Sequence, residues 1–514
     1  MSKRIDVLAG ATILIIGIIL LCSWRYNPGF RVLYSGDSFL DANQLIPGSN
    51  FKELGFWKLR FTADYAVGPE EYHPFYYTHN GPLSEMINGF YQKLGLERIE
   101  RQRLVCIAWT LLGLAFFYAA LRLLAGQTVA LGALIINGSN PFILSWGDNL
   151  FSSYQWMLVY LAFYSLMRHI RKRSLLSFRV AWVAFFLVAF SNYELVPQIA
   201  IFVLGLAIFR IERISARKVA IFLIAPLAAF CLRNLLVIWA VGYHIWSRDL
   251  IEILLHRSVG IKTPIMEMYR YAPVIMWDTE AVIPRHFLQS LYLKLEGLYG
   301  YGWSLFIIAL FVPRSRNWLL PKREILKVYP LILVFFFMGV SWFLLFPQHT
   351  SAHLHGSTML LFSPFSGLLW SCVLIGLWKN VARIPVKALC LAAVICFIAV
   401  SRIINFVPPE RFPGIEALDK YRGRVFCTNA IPSLVEYYTK APAAFCGYEE
   451  QFNDLLEGKY NFFLRTDKLN APFPEFFLSV SMFGWNKDRL AGYFPLVESG
   501  KDYAIYRLER KEGQ

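Results

Sequence analysis

Charge is scarce in this chain of 514 residues: 17% are Asp, Glu, Lys or Arg, where a soluble domain carries about a quarter. With 56% of the residues hydrophobic, that scarcity excludes an ordinary soluble globular protein. Metal-ligand spacing is missing too. The eight cysteines include no CxxC pair, and Cys22, Cys106, Cys231, Cys372, Cys390 and Cys396 lie in or beside apolar stretches, where a thiol acts as a small hydrophobe. No small-residue cleavage site follows the apolar run Val7 to Trp24, because Cys22-Ser23-Trp24-Arg25-Tyr26 is bulky. That run therefore reads as a retained anchor and not as a removable signal. No internal repeat is found, which argues against the duplicated halves of many secondary transporters.

What the chain has is apolar windows long enough to cross a hydrocarbon core of about 30 Å. They fall near 6–24, 104–124, 127–146, 155–169, 178–191, 195–210, 218–241, 298–313, 327–346, 357–378 and 386–404. The net charge of +16 sits mostly in short connections: Lys3-Arg4, Arg168 to Arg173, Arg210 to Lys218, Arg314 to Lys327 and Lys379 to Lys387. All of these share one side if the N-terminus is cytoplasmic, so the charge sets orientation and does not call for nucleic acid. The expected fold is an all-α polytopic membrane bundle of about 11 transmembrane helices over 1–404, with long outer loops at 25–103 and 242–297. The expected location is the cytoplasmic membrane, N-terminus inside.

After Pro408-Pro409 the composition becomes that of a soluble domain, and 405–514 is expected outside the membrane as a small α/β domain. Arg424 to Asn429, Ala443 to Tyr448, Tyr460 to Arg465 and Tyr503 to Leu508 read as strands, and Ile431 to Tyr438 as a helix. Cys427 and Cys446 fall on strands flanking that helix, and a disulfide between them is expected. Phe39 to Ile46 and Pro82 to Leu94 show helical spacing in the first loop. Such helices either lie along the membrane surface or pack on the bundle.

The order of short motifs carries a resemblance. Tyr34-Ser35-Gly36-Asp37-Ser38-Phe39 follows the first span, then Asn50 to Gly55, then Tyr77-Thr78-His79-Asn80-Gly81-Pro82-Leu83, then Trp146-Gly147-Asp148-Asn149-Leu150. This order resembles the GT-C superfamily of polyprenyl-phosphate-dependent glycosyltransferases, and in particular bacterial relatives of protein O-mannosyltransferases. The resemblance implies an inverting transfer of a sugar from a polyprenyl phosphate to a glycolipid, polysaccharide or protein on the outer face. It implies no cofactor beyond the lipid-linked donor.

On that resemblance Asp37 is the catalytic base, while its bland reading is a helix N-cap. The family's acidic pair is here Asp37-Ser38, so Asp41, one turn later, stands where a second carboxylate is wanted. His79 lies in the stretch similar to the family's His-Pro-Pro-Leu. Asp148 either holds sugar or acceptor or is a solvated loop carboxylate. Glu194 is an ionisable group at membrane depth, or a wet turn. Arg257 and Arg270 belong to a basic, aromatic-rich loop that suits a phosphate head group or plain interfacial anchoring. His353 and His355 are phosphate contacts or interfacial histidines; His349 and His353 alone make no recognisable zinc site. Arg233 is a charge inside a span. The competing reading is a flippase or transporter of lipid-linked sugars, which would bind the same head group.

Overall fold

The computed structural model describes residues 2–32, 37–70, 73–76, 81–192, 195–212, 214–248, 250–251, 325–345, 363–380, short helical pieces within 384–400, and 410–430, 432–446, 449–457, 474–481 and 490–508. The chain divides into two compact units. The first comprises Met1–Pro28, Glu100–Arg233 and Val282–Pro409; the second comprises Gly29–Ile99, Asn234–Ala281 and Glu410–Gln514.

The first unit is helical. Its elements are α1 (Ser2–Tyr26), α4 (Ile99–Ala125), α5 (Gln127–Gly138), α6 (Pro141–Trp146), α7 (Ser153–Lys172), α8 (Leu175–Ser191), α9 (Val196–Ile208), α10 (Ala216–Val241, of which the end from Asn234 onward belongs to the second unit), α11 (Ile325–Leu345) and α12 (Ser363–Asn380). Contacts at opposite ends make α1 and α4 antiparallel. Asp6 pairs with Arg122 at 3.0 Å and accepts from the Tyr118 hydroxyl at 2.8 Å. At the far end, Trp24 Nε1 donates to the Glu100 carbonyl at 2.9 Å. The 127–146 window, expected as one span, is two helices. It breaks at Ser139-Asn140 because Pro141 disfavours helical backbone in the residue before it.

Apolar side chains fill the spaces between these helices. Phe163 and Phe202 stack at 3.8 Å between centroids, and Phe335 joins them at 6.0 Å from Phe202. Helices α9 and α11 approach closely because a Cβ at Gly205 would meet Val334 Cγ2 at 2.5 Å, the small-residue packing used by membrane helices. Outward residues of α1, such as Leu14 (65% exposed) and Ile15 (58%), are apolar, which suits lipid and not water.

Among the described residues, three helices are long and apolar enough to cross a membrane: Lys3–Tyr26, Ile99–Ala125 and Ala216–Val241. Five shorter apolar helices accompany them: Gln127–Gly138, Leu175–Ser191, Val196–Ile208, Val328–Gly339 and Pro364–Lys379. The expected window at 298–313 lies outside the described residues, and most of 386–404 does too.

The second unit holds a sheet and two helices of the first loop. β1 (Arg31–Val32) pairs antiparallel with β2 (Glu410–Arg411). The larger sheet has the order β4-β3-β5-β7-β6, built from β3 (Phe426–Thr428), β4 (Ala443–Phe445), β5 (Phe476–Val480), β6 (Leu496–Ser499) and β7 (Tyr503–Arg507). β3 runs parallel to β4 and β5, whereas β7 is antiparallel to β5 and β6. Helix α13 (Pro432–Thr439) connects β3 to β4, and α14 (Glu449–Leu456) follows. The loop and the tail are joined by Phe30, which is 1% exposed and lies edge-on to Tyr437 and Tyr438 at 5.3 and 5.7 Å.

The expected disulfide is corrected: Cys427 and Cys446 are both buried thiols and form no disulfide. Cys427 stands opposite Ala444 in the parallel register, so Cys446 is two residues further along the next strand. That diagonal is about 8 Å between Cα atoms from ordinary strand spacing, beyond the roughly 7 Å a disulfide spans. Both thiols pack instead in the core with Val425, Phe452 and Phe477. The expected strand at Tyr460 to Arg465 lies outside the described residues.

Candidate functional site

Two helices of the first loop organise the candidate site. α2 (Asp37–Glu53) begins at Asp37, so residue 37 and Asp41 lie one turn apart along one side of it. α3 (Leu83–Lys93) packs on α2, and the approach is close: a Cβ at Gly89 would meet Phe51 Cβ at 2.7 Å. Both helices fall where the sequence periodicity places them. Asp41 is 2% exposed, and the whole stretch 41–50 is buried or nearly so.

The interface between α2 and α3 is polar. Gln44 Nε2 donates to Glu85 Oε1 at 3.3 Å, and the Tyr65 hydroxyl donates to the same oxygen at 2.9 Å. Gln92 Nε2 donates to the Leu45 carbonyl at 2.9 Å. Glu85 is 1% exposed. Burial disfavours its charged form and pushes its pKa up to about 7, against the opposing pull of its hydrogen bonds. Asn50 Nδ2 reaches the carbonyls of Asp64 and Ala66 at 2.7 and 2.9 Å, fastening the following loop to α2.

That loop closes on a carboxylate–imidazole pair. Asp64 Oδ2 lies 2.6 Å from His73 Nδ1, while Asp64 Oδ1 accepts from the backbone N–H groups of Ala66 and Phe75 at 2.9 and 2.8 Å. The hydrogen bond to Asp64 raises the His73 pKa above its ordinary value, against the opposing effect of burial.

In the first unit, Asp148 is buried, not solvated. Its Oδ1 lies 3.2 Å from Arg103 Nη1, and the two side chains are 3% and 2% exposed. The neighbouring Asn149 uses Oδ1 to accept from the N–H groups of Phe151 and Ser152 at 2.9 and 3.1 Å, starting the turn into α7. Thr110 Oγ1 donates to the Gly147 carbonyl and holds the other side of the turn. Arg233 is likewise buried, at 3% exposed.

The other expected site residues, His79, Glu194, Arg257, Arg270, His353 and His355, lie outside the described residues, as does the side chain of Asp37. No group of three or more potential metal ligands occurs among the described residues. Sequence reasoning missed Arg103 and Glu85. Arg103 was hidden in the Arg98-Ile99-Glu100-Arg101-Gln102-Arg103 run, which reads as a charged flank of the next span. Glu85 carries no signal of its burial: it lies on the polar side of the 82–94 helix with Ser84, Asn88 and Gln92, and that polar side is the buried one.

No family model and no curated protein matches this chain. Solved structures do. ArnT from Cupriavidus metallidurans bound to undecaprenyl phosphate aligns over 97% of this chain and 98% of its own, with 12% identity and a TM-score of 0.54. The apo form of that ArnT gives 11% identity, 98% coverage of each chain and a TM-score of 0.51. The apo oligosaccharyltransferase of Archaeoglobus fulgidus aligns over 92% of this chain and 69% of its own, with 12% identity and a TM-score of 0.52. At this identity the likeness is one of fold, and the fold is shared along nearly the whole of this chain. The three long apolar helices support a membrane location by their length and composition.

Proposed function

We propose that this chain is an inverting glycosyltransferase that takes a sugar from a polyprenyl phosphate and transfers it to a glycolipid, polysaccharide or protein on the outer face of the cytoplasmic membrane. The observation that carries this reading is the fold match along nearly the whole length of ArnT in its undecaprenyl-phosphate complex. In the proposed step the acceptor oxygen attacks the anomeric carbon of the sugar and forms the new glycosidic bond. The bond from that carbon to the phosphate oxygen breaks, and polyprenyl phosphate leaves with the electron pair. The acceptor proton passes to the Asp37 carboxylate. Attack opposite the leaving group inverts the anomeric centre. Basic residues of the outer loops, Arg257, Arg270, His353 and His355 among them, stabilise the charge that develops on the phosphate, while His79, Asp41 and Glu194 position donor and acceptor and Asp148, paired with Arg103, acts only through the turn it holds. The bundle over 1–404 would carry the transfer and the tail 405–514 would lie on the same outer side.

The test is chemical. Purified protein in lipid nanodiscs is supplied with a radiolabelled polyprenyl-phosphate sugar and an envelope extract as acceptor. Label recovered in a new glycosidic linkage, with release of polyprenyl phosphate, supports the proposal. In proteoliposomes, movement of intact donor across the bilayer without any new linkage would instead support a flippase.

A further inference from the structure

A turn in the second unit presents aromatic side chains to the outside at the C-terminal end of α10. Trp57 is 73% exposed and Trp239 is 44% exposed, with their rings edge-on at 5.6 Å. Phe61 lies edge-on to Trp57 at 5.8 Å. Beyond Gly242, whose φ of +88 reverses the chain, Tyr243 is 61% exposed and lies 5.6 Å from Trp246. Trp246 Nε1 donates to Asn234 Oδ1 at 2.9 Å and so folds this segment back on the helix.

The backbone of the turn is held in an unfavourable conformation. Arg60 and Phe61, neither of them glycine, have φ values of 53 and 55, a region that costs a side chain about 1 kcal/mol or more. Arg60 holds them there. Its Nη1 donates to the carbonyls of Trp239 and Ala240 at 2.5 and 3.2 Å, capping α10, and its guanidinium lies 5.9 Å from the Trp239 ring centre. Leu59, 2% exposed, plugs the turn from inside. Held in this way, the turn keeps Trp57 exposed beside Trp239.

The continuity of α10 says what it touches. Ile224, Leu227, Cys231, Leu235 and Trp239 form one stripe at helical spacing, and all are exposed. On a helix long and apolar enough to cross a membrane, such a stripe faces lipid tails. Trp239 stands at its end, where the hydrocarbon gives way to head groups. Tryptophan and tyrosine collect at that depth because they offer an apolar ring and a polar N–H or O–H. Lys58 and Arg60 follow Trp57 and are exposed, Lys58 paired with Glu70 at 3.1 Å and Arg60 with the end of α10.

We propose that the 56–61 turn, together with Trp239 and Tyr243, is a membrane-interface anchor that sits among phospholipid head groups and fixes the depth of the α2–α3 loop. The anchor needs a bilayer but neither donor nor acceptor, so it stands or falls apart from the transfer reaction.

The experiment places the photo-crosslinking residue p-benzoylphenylalanine at position 57 in one sample and at 243 in another. The full-length protein is then irradiated in phospholipid nanodiscs without any polyprenyl phosphate. A third sample carries it at Asp502, an exposed polar site between β6 and β7. Mass spectrometry of the labelled peptides should find phospholipid adducts at 57 and 243 in several-fold higher yield than at 502. As a second measurement, Trp57→Phe should lower fluorescence quenching by lipids brominated near the glycerol more than by lipids brominated near the chain ends. A crosslinked dimer at 57, which would mean a second copy covers the patch, overturns the proposal. So do adducts no more frequent than at 502, or quenching unchanged by Trp57→Phe.

Discussion

Arg103 Nη1 and Asp148 Oδ1 meet at 3.2 Å with both side chains out of solvent. A carboxylate that the sequence places in a short outer loop is therefore half of a buried ion pair that joins the start of α4 to the turn after α6. Removing one partner strands the other charge, which typically costs about 3–5 kcal/mol. Asp148→Asn and Arg103→Met should each lower the thermal midpoint of the detergent-solubilised protein sharply. The double variant Arg103→Met/Asp148→Leu should recover most of that loss, because neither charge is then stranded. A double variant as unstable as the sum of the singles would contradict the pairing.

Glu85 gives the fold a pH dependence whose direction is fixed. The folded protein holds this proton up to about 7, whereas an unfolded glutamate releases it near 4.5. Stability therefore falls as pH rises between those values and levels off above them. Glu85→Gln keeps an oxygen for Tyr65 and cannot ionise, so that part of the slope should vanish. Above pH 7 the variant should be the more stable protein, by roughly 2–4 kcal/mol. His73 adds a slope of the same sign at higher pH, since its raised pKa stabilises the fold below about 6.5 and that contribution is lost as pH rises through the folded value. Thermal melts of both proteins between pH 4 and 8 check this; an unchanged slope in Glu85→Gln would refute it.

Cys427 and Cys446 should behave as two buried thiols. In native protein they should resist alkylation, and unfolding without reductant should expose both to iodoacetamide. Mass spectrometry of the tryptic peptides reads the result, and a linked peptide pair would contradict the observed register.

The legible parts of the molecule were those written in periodicity and composition. The apolar windows that fall within the described residues coincide with helices, the 127–146 window with two of them, and the 39–46 and 82–94 patterns fall on α2 and α3. β5 was not legible, although it lies at the centre of the larger sheet. Phe476 to Val480 is a short, mostly apolar run with both faces covered, and it lacks the alternation that marks a half-buried strand. The cysteines were legible as neighbours but not in register, because a two-residue offset depends on pairing and not on the local sequence. Asp148 could be singled out as a carboxylate beside a span. Its partner could not be read, since Arg103 is 45 residues away and looked like one more flanking charge. Glu85 was masked by its helix: an acid on a buried face is recognised only once the face opposite is known.

The proposed transfer depends on Asp37, the first residue of α2, and Asp37→Asn tests that dependence most directly. The amide keeps the size and much of the hydrogen bonding of the carboxylate but cannot take the acceptor's proton. General-base contributions of about 10²–10⁴-fold are typical, so transfer should fall by that factor while binding of the polyprenyl-phosphate sugar, measured in parallel, stays at the wild-type level. Asp41→Asn should be milder. Because asparagine caps a helix about as well as aspartate, turnover at the wild-type rate in correctly folded Asp37→Asn protein would leave Asp37 as a helix cap and contradict the proposed mechanism.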